Sequence, residues 1–251
     1  MRAEATPIVL LHGVGLDATM WEPVIRVMGD ALGPVVAVDL PGHGTRPPLR
    51  EPQSLASLAA DVIDRIPPAP LHLVGFSLGA LIAQHIARFS AARVATLACV
   101  SSVCRRTPSE AANVASRLAA AGDDFAGSVE ASIARWFPPG TAVSSHDIEA
   151  TRRVLLANDV ESYLHAYAVF ARGDREIAPA LARIHAPTLA ITGADDPGST
   201  PEMSRRLADA IPNCRVEVVP GTRHMMPLED PVTLVAAIAT LLNEGKGHDH
   251  D

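Results

Sequence analysis

The chain has 251 residues, of which 48% are hydrophobic and 20% are charged, and its formal net charge is -7. This apolar content excludes a long disordered region or a collagen-like chain, and the length fits one large α/β domain. The acidic balance, without any run of basic residues, excludes nucleic acids and anionic membranes as expected partners.

The compartment is indicated by the cysteines and by the N-terminal residues. Cys99, Cys104 and Cys214 are too few for a disulfide framework, and the first residues lack the apolar segment of a secretory signal. The most apolar stretch, residues 73–83, is far shorter than the roughly 20 residues of a membrane-spanning helix. We therefore expect a cytoplasmic protein without membrane association.

Short β-branched runs alternate with longer helical patterns, which indicates an α/β fold with a parallel sheet covered by helices. The predicted strands are continuous apolar runs, which is typical of strands buried on both faces. They are Ile8–Leu11, Val35–Asp39, Leu71–Phe76, Val94–Ser101, Thr188–Thr192 and Arg215–Val219. The helices predicted between and after them are Met20–Ala31, Ser54–Arg65, Leu78–Phe89, Glu202–Ala210 and Val232–Asn243.

A long segment between Ser101 and Pro187 has helical patterns and no pattern of a buried strand. Because it lies between two core strands, it is predicted to form a helical cap over the carboxyl ends of the strands, where α/β proteins bind ligands. The expected organisation is a core of residues 1–103 and 186–244, a cap of residues 104–185 and a disordered tail of residues 245–251. The helices predicted in the cap are Pro108–Ala121, Ser128–Trp136, Ser145–Asn158 and Ser162–Phe170.

The strongest chemical signal is the G-x-S-x-G motif from Gly75 to Gly79, which follows a predicted strand and opens a predicted helix. A serine in such a tight turn adopts a strained backbone conformation that exposes its Oγ, and small neighbours two residues away avoid a collision. The helix N-terminus favours negative charge that develops there. Ser77 is therefore the predicted nucleophile.

A serine nucleophile needs a base that is oriented by an acid. His224 lies in the loop after the last predicted strand, and the loop after the preceding strand carries two neighbouring carboxylates. Asp196 is the preferred acid, and Asp195 is the alternative. Backbone N–H groups of Val14 and Leu78 are the predicted oxyanion-hole donors, while His12 is interpreted as structural.

Five motifs in this order, H-G-x-G, D-L-P-G-H-G, G-F-S-L-G-A, G-A-D-D-P and G-x-R-H-M, closely resemble the α/β-hydrolase superfamily. The resemblance covers nearly the whole chain and implies a triad of Ser77, Asp196 and His224. It also implies about six mostly parallel strands with the cap inserted before the last two. The second motif resembles the family's structural turn after its second core strand, and His43 within it is interpreted as structural. Only residues 1–7 precede the first core strand, so little or no N-terminal hairpin is expected.

Ser77, rather than aspartate, at the nucleophile position argues against a dehalogenase or an epoxide hydrolase. The predicted activity is hydrolysis of a small carboxylic ester or lactone without a metal or other cofactor. Within the superfamily the chain is loosely similar to the small esterase branch that includes 3-oxoadipate enol-lactonase. The alternatives are a carbon–carbon bond hydrolase of aromatic degradation, a thioesterase or acyl-carrier esterase, a non-hydrolytic lyase and a ligand receptor.

The substrate pocket is predicted mainly from aromatic residues of the cap. Five arginines of the same region are candidates for steering a carboxylate-bearing substrate, although arginines on helix surfaces are commonly solvated. The predicted pocket residues are Trp136, Tyr163, Tyr167 and Met225, and the arginines are Arg105, Arg106, Arg152, Arg153 and Arg172.

Overall fold

The computed structural model describes residues 6–246, and its centre is a sheet of six parallel strands. The strands follow the order β2-β1-β3-β4-β5-β6 across the sheet. The predicted α/β fold, its parallel sheet and its six strands are thereby confirmed. The strands are β1 Ile8–Leu11, β2 Val35–Val38, β3 Leu71–Phe76, β4 Val94–Val100, β5 Thr188–Gly193 and β6 Cys214–Val219.

Helices connect the strands and cover both faces of the sheet. They are α1 Glu22–Met28, α2 Leu55–Arg65, α3 Leu78–Phe89, α4 Pro108–Asp123, α5 Phe125–Trp136, α6 Ser145–Leu156, α7 Val160–Ile177, α8 Pro201–Ala210, α9 Met226–Glu229 and α10 Pro231–Lys246. Among the described residues, short 3-10 helices span Ala18–Trp21, Ala91–Arg93 and Ala178–Arg183. Across residues 6–246, no helix combines the length and apolarity that a bilayer crossing requires.

The two faces of the sheet are buried under different helices. Because side chains alternate along a strand, Val9 and Leu11 of β1 join an apolar cluster that includes α2, α3 and α8. Ile8 and Leu10 join a second cluster, on the opposite face, that includes α1 and α10. All four of these β1 side chains are fully buried. Burial on both faces explains why the strands are continuous apolar runs in the sequence.

Four helices, α4 to α7, lie between β4 and β5 and are called here the inserted helices. Helix α7 continues to Ile177, beyond the predicted end at Phe170. The prediction ends too early because polar residues interrupt the apolar pattern in the last turns of α7. One of them, Asp174, is buried in an ion pair with Arg106, and the distance from Arg106 Nη1 to Asp174 Oδ1 is 2.8 Å. This ion pair joins the start of the inserted helices to α7.

Other helix ends also differ from the sequence-based boundaries. Helix α1 ends at Met28 rather than Ala31, because Gly29 has a φ of 51° and turns the chain. Helix α10 continues through Lys246, so the first two residues of the predicted tail are helical. The remaining residues of that tail, 247–251, lie outside the described residues.

Candidate active site

Ser77 occupies a sharp turn between β3 and α3. Its φ of 53° and ψ of -110° lie in a region that non-glycine residues rarely adopt. The N–H of Ser77 donates a hydrogen bond of 2.9 Å to the carbonyl of Val100 on the neighbouring strand β4. The turn that the G-x-S-x-G motif predicts is therefore present, held against the sheet.

The two glycines of the motif are required by close backbone packing. A Cβ atom on Gly75 would collide with the backbone of Gly79, the second residue of α3. A Cβ on Gly79 would collide with the carbonyl oxygens of Leu11 and His12, in and after β1. Any side chain at either position would push the turn away from the sheet.

His224 and Asp196 form a buried hydrogen-bonded pair at the carboxyl ends of β6 and β5. His224 Nδ1–H donates to Asp196 Oδ2 over 2.7 Å. The other carboxylate oxygen, Oδ1, accepts the backbone N–H groups of Gly198 and Ser199, at 2.8 and 2.9 Å. Because Nδ1 carries the shared proton, Nε2 of the neutral imidazole is available as a base.

Ser77, Asp196 and His224 line one cavity, called here the Ser77 cavity. The cavity is narrow, with a volume of about 50 Å³. The hydrogen bonds of the described residues do not include one between the Ser77 hydroxyl and the His224 ring. Such bonds are commonly long in enzymes without substrate and tighten when substrate binds.

The imidazole of His224 lies between two aromatic rings. Its ring centroid is 5.0 Å from that of Phe76 and 5.6 Å from that of Trp136, which stacks on it at an interplanar angle of 26°. Trp136, Tyr163 and Tyr167 line the Ser77 cavity, as the sequence analysis expects. Met225 is fully buried in an apolar cluster and is not among the residues that line this cavity.

The predicted oxyanion-hole donors lie at the ends of β1 and β3. Val14 lines the Ser77 cavity, and Leu78 is the first residue of α3. Within residues 6–246, neither N–H group donates a hydrogen bond to another protein atom. The Gly79 N–H donates to the His12 carbonyl over 3.0 Å, which holds the loop after β1 beside the start of α3.

His12 and His43 are buried where the loops after β1 and β2 meet. His12 Nδ1–H donates to the Gly13 carbonyl over 2.7 Å, and its Nε2 accepts the Leu40 N–H over 2.8 Å. Burial, with a smaller contribution from His43, lowers the pKa of His12 from 6.5 to about 3. Both ring nitrogens of His12 are thus used within the fold, in agreement with the structural interpretation.

The structure also places in the cavity two arginines that sequence reasoning missed, Arg117 on α4 and Arg135 on α5. Arg135 directly precedes the predicted pocket residue Trp136, and this neighbour is the signal that could have found it. The five arginines named from the sequence lie elsewhere. Arg106 is buried in its ion pair and Arg152 pairs with Glu130 and Glu149, whereas the exposed ones are Arg105, Arg153 and Arg172.

The class of α/β hydrolytic enzymes is defined by a parallel sheet with a strained serine turn after a central strand. A histidine and an acid follow later strands of the same sheet. A sequence model of the alpha/beta hydrolase family matches residues 8–238, and the chain belongs to this family. The resemblance inferred from the motifs is thereby confirmed.

Three relatives within this family show which hydrolases the chain is similar to. A protein of Acinetobacter baylyi named (E)-2-((N-methylformamido)methylene)succinate hydrolase is 30% identical over 233 residues, which are 92% of this chain and 88% of the relative. A pimeloyl-(acyl-carrier protein) methyl ester esterase of Edwardsiella ictaluri is 32% identical over 240 residues, 92% and 91% of the two chains. The 3-oxoadipate enol-lactonase 1 of Acinetobacter baylyi is 25% identical over 230 residues, 90% and 85%. This chain is a hydrolase that acts on ester bonds.

Proposed function

We propose that this protein hydrolyses a small carboxylic ester or a lactone through an acyl-enzyme formed on Ser77. The observation that carries the proposal is the buried hydrogen bond of 2.7 Å between His224 and Asp196, in a cavity that Ser77 also lines. A serine hydroxyl is a weak nucleophile at neutral pH and needs a base with a fixed tautomer. Asp196 fixes that tautomer by accepting the Nδ1 proton.

In the first half of the reaction, Ser77 Oγ attacks the carbonyl carbon while His224 Nε2 takes the hydroxyl proton. The N–H groups of Val14 and Leu78 stabilise the oxygen that becomes negative, and one such donor typically contributes about 3 kcal/mol. The carbon–oxygen bond to the leaving group then breaks, and His224 returns the proton to the departing oxygen. In a lactone, this step opens the ring and the alcohol stays on the acyl group.

In the second half, a water molecule attacks the acyl-enzyme. His224 Nε2 takes a proton from the water, and the same two N–H groups stabilise the second tetrahedral intermediate. The bond between the acyl carbon and Ser77 Oγ breaks, and Oγ regains its proton from His224. The products are a carboxylic acid and an alcohol, and all groups that act belong to the chain or to the water.

The inserted helices form the cap of this site in our proposal. Trp136 of α5 stacks on His224, and Tyr163 and Tyr167 of α7 line the cavity beside it. These rings would exclude bulk water from the reacting groups, which strengthens the electrostatic contacts to the developing oxyanion.

The bond that is cleaved is proposed from the relatives and from the cavity. Two of the three relatives are named for a methyl ester and for an enol-lactone, which favours an oxygen ester over a carbon–carbon bond. The narrowness of the Ser77 cavity favours a small acyl group over a long one.

The test is burst and steady-state kinetics on 4-nitrophenyl acetate and on a simple enol-lactone. We expect Ser77→Ala to lower kcat at least about a thousandfold, because the hydroxyl that forms the acyl-enzyme is lost. Ser204→Ala is the matched control, since Ser204 is buried on α8 outside the cavity. Wild-type turnover by Ser77→Ala would reject the nucleophile, and a folded wild type inactive on both substrates would reject the proposed function.

A further inference from the structure

A groove on the surface of the inserted helices leads to the Ser77 cavity. It runs between α4 and α5, and four of its lining residues also line the cavity: Arg117, Ser132, Arg135 and Tyr167. Two guanidinium groups therefore lie where the groove meets the cavity. A substrate that enters by this groove passes both of them before it reaches Ser77.

The hydrogen bonds of these two arginines hold their side chains in place without neutralising them. Arg117 donates from Nε to the Tyr167 hydroxyl over 3.3 Å. Arg135 donates to Ser132 Oγ over 3.0 Å and to the Ala131 carbonyl over 3.4 Å. Every acceptor is neutral, and in the part of the chain that the structure describes neither guanidinium has a carboxylate within ion-pairing distance.

The acidic residues that line the same space are occupied by other partners. Asp196 holds His224 and two backbone N–H groups. Asp124, in the groove wall, accepts the N–H of Gly127 over 2.9 Å at the start of α5. Two positive charges thus face a narrow cavity, and among the described residues neither of them forms an ion pair.

This arrangement is electrostatically unfavourable without a ligand. The pKa of Arg135 is lowered from its usual range, mainly by burial and, as the second cause, by the positive charge of Arg117. By contrast, the buried guanidinium of Arg106, just before α4, is stabilised by its ion pair with Asp174. Guanidinium groups bind carboxylates through strong, charge-assisted hydrogen bonds, so a bound carboxylate would relieve the repulsion between Arg117 and Arg135.

We propose that Arg117 and Arg135 form a binding subsite for a carboxylate of the substrate. The substrate class is then an ester or lactone that carries a free carboxylate at a distance from the bond that Ser77 attacks. This inference rests on the proposed function, since it assigns the substrate class of the same cavity.

The test compares pairs of esters in which a methyl group of one member is replaced by a carboxylate in the other. 4-Nitrophenyl pentanoate and mono-4-nitrophenyl glutarate form the first pair, with the carboxylate on the acyl side. 4-Methylphenyl acetate and 4-acetoxybenzoate form the second pair, with the carboxylate on the leaving group. We expect the wild-type enzyme to have a higher kcat/KM for the charged member of at least one pair.

The arginine variants should remove this preference. In Arg117→Gln and Arg135→Gln we expect kcat/KM for the preferred charged ester to fall about tenfold or more, mainly through KM, because a charge-assisted contact is lost. The neutral ester should change by no more than about twofold. Arg135→Lys should retain part of the preference, because it keeps the positive charge but not the planar fork.

Arg153→Gln is the matched control. Arg153 is exposed on α6, and its replacement by glutamine removes the same positive charge from the inserted helices. It should leave both esters of each pair unchanged. Equal effects of the arginine variants on charged and neutral esters, or no wild-type preference in either pair, would overturn the carboxylate subsite. Loss of Ser77-dependent turnover on every ester would instead overturn the proposed function, so the two failures are distinguishable.

Discussion

At the scale of single residues, the neighbouring acids Asp195 and Asp196 occupy different environments. Asp196 is 3% exposed and holds the His224 ring, whereas Asp195 is exposed. The N–H of Asp195 donates to the Thr222 carbonyl over 3.0 Å, which fixes the backbone of the turn and directs the next side chain inward. Two adjacent carboxylates in a sequence are chemically equivalent, and the backbone of this turn distinguishes them.

We expect Asp196→Asn to lower kcat about ten-thousandfold, because an amide favours the wrong tautomer of the imidazole. Asp195→Asn is the matched control and should retain kcat within about twofold. Steady-state kinetics on 4-nitrophenyl acetate, with melting curves to verify folding, measures both variants. The opposite ranking would transfer the role of the acid to Asp195.

At the scale of elements, the position of Ser77 is fixed by the packing of α3. Nine residues of this helix are buried, so α3 cannot shift without opening the core on several sides. Gly79, in its first turn, lies against the backbone that follows β1. The serine turn, the loop with Val14 and the helix N-terminus therefore form one rigid unit, which keeps the proposed oxyanion donors in place before substrate arrives.

We expect Gly79→Ala to destabilise the protein by about 3 kcal/mol, because the added methyl collides with two carbonyl oxygens and the backbone must move. Gly122→Ala is the matched control, since Gly122 is exposed on α4 and a Cβ there would make only an ordinary contact of 4.0 Å with Leu164 Cδ1. Alanine there should stabilise by about 0.5 kcal/mol through its higher helix propensity. Urea denaturation measures both, and equal stabilities would contradict the close packing at Gly79.

At the scale of the whole molecule, two buried histidines connect the loops that follow β1 and β2. His12 accepts the Leu40 N–H, and its ring centroid lies 5.2 Å from that of His43. Burial lowers the pKa of both rings. The folded state therefore keeps both histidines neutral at a pH where an unfolded chain protonates them, which links global stability to pH.

We expect the free energy of unfolding to decrease as the pH falls below 6.5. Unfolded His12 then takes up a proton, whereas folded His12 stays neutral until about pH 3. The unfolded state thus binds more protons, and the loss from His12 alone is about 2 kcal/mol at pH 5. Urea denaturation at pH 7 and pH 5 measures it.

His12→Gln should reduce the difference in the free energy of unfolding between pH 7 and pH 5. The control is His185→Gln, which changes an exposed histidine outside the ion pairs of the described residues and should leave that difference unaltered. If the difference in unfolding free energy between pH 7 and pH 5 is unchanged in His12→Gln, His12 is not the source of the pH dependence.

The sequence by itself determined the α/β class, the six parallel strands and the serine turn. Each depends on local features: apolar runs mark buried strands, and the spacing of Gly75, Ser77 and Gly79 marks a turn that no larger neighbours allow. The order of serine, acid and histidine along the chain was also readable, because loops after parallel strands meet at one edge of the sheet.

Only the tertiary structure decided which side chains reach the cavity. Arg117 and Arg135 line it and Met225 does not. The position of Arg135 beside Trp136 is a sequence signal, whereas nothing in the sequence distinguishes Arg117 from other arginines or Met225 from other apolar residues. The outcome depends on how α4, α5 and α7 are rotated and packed against the core, and that packing joins residues far apart in the chain. Long-range contacts of this kind leave no local pattern in the sequence, which is the physical reason why the residues that line the cavity could not all be predicted.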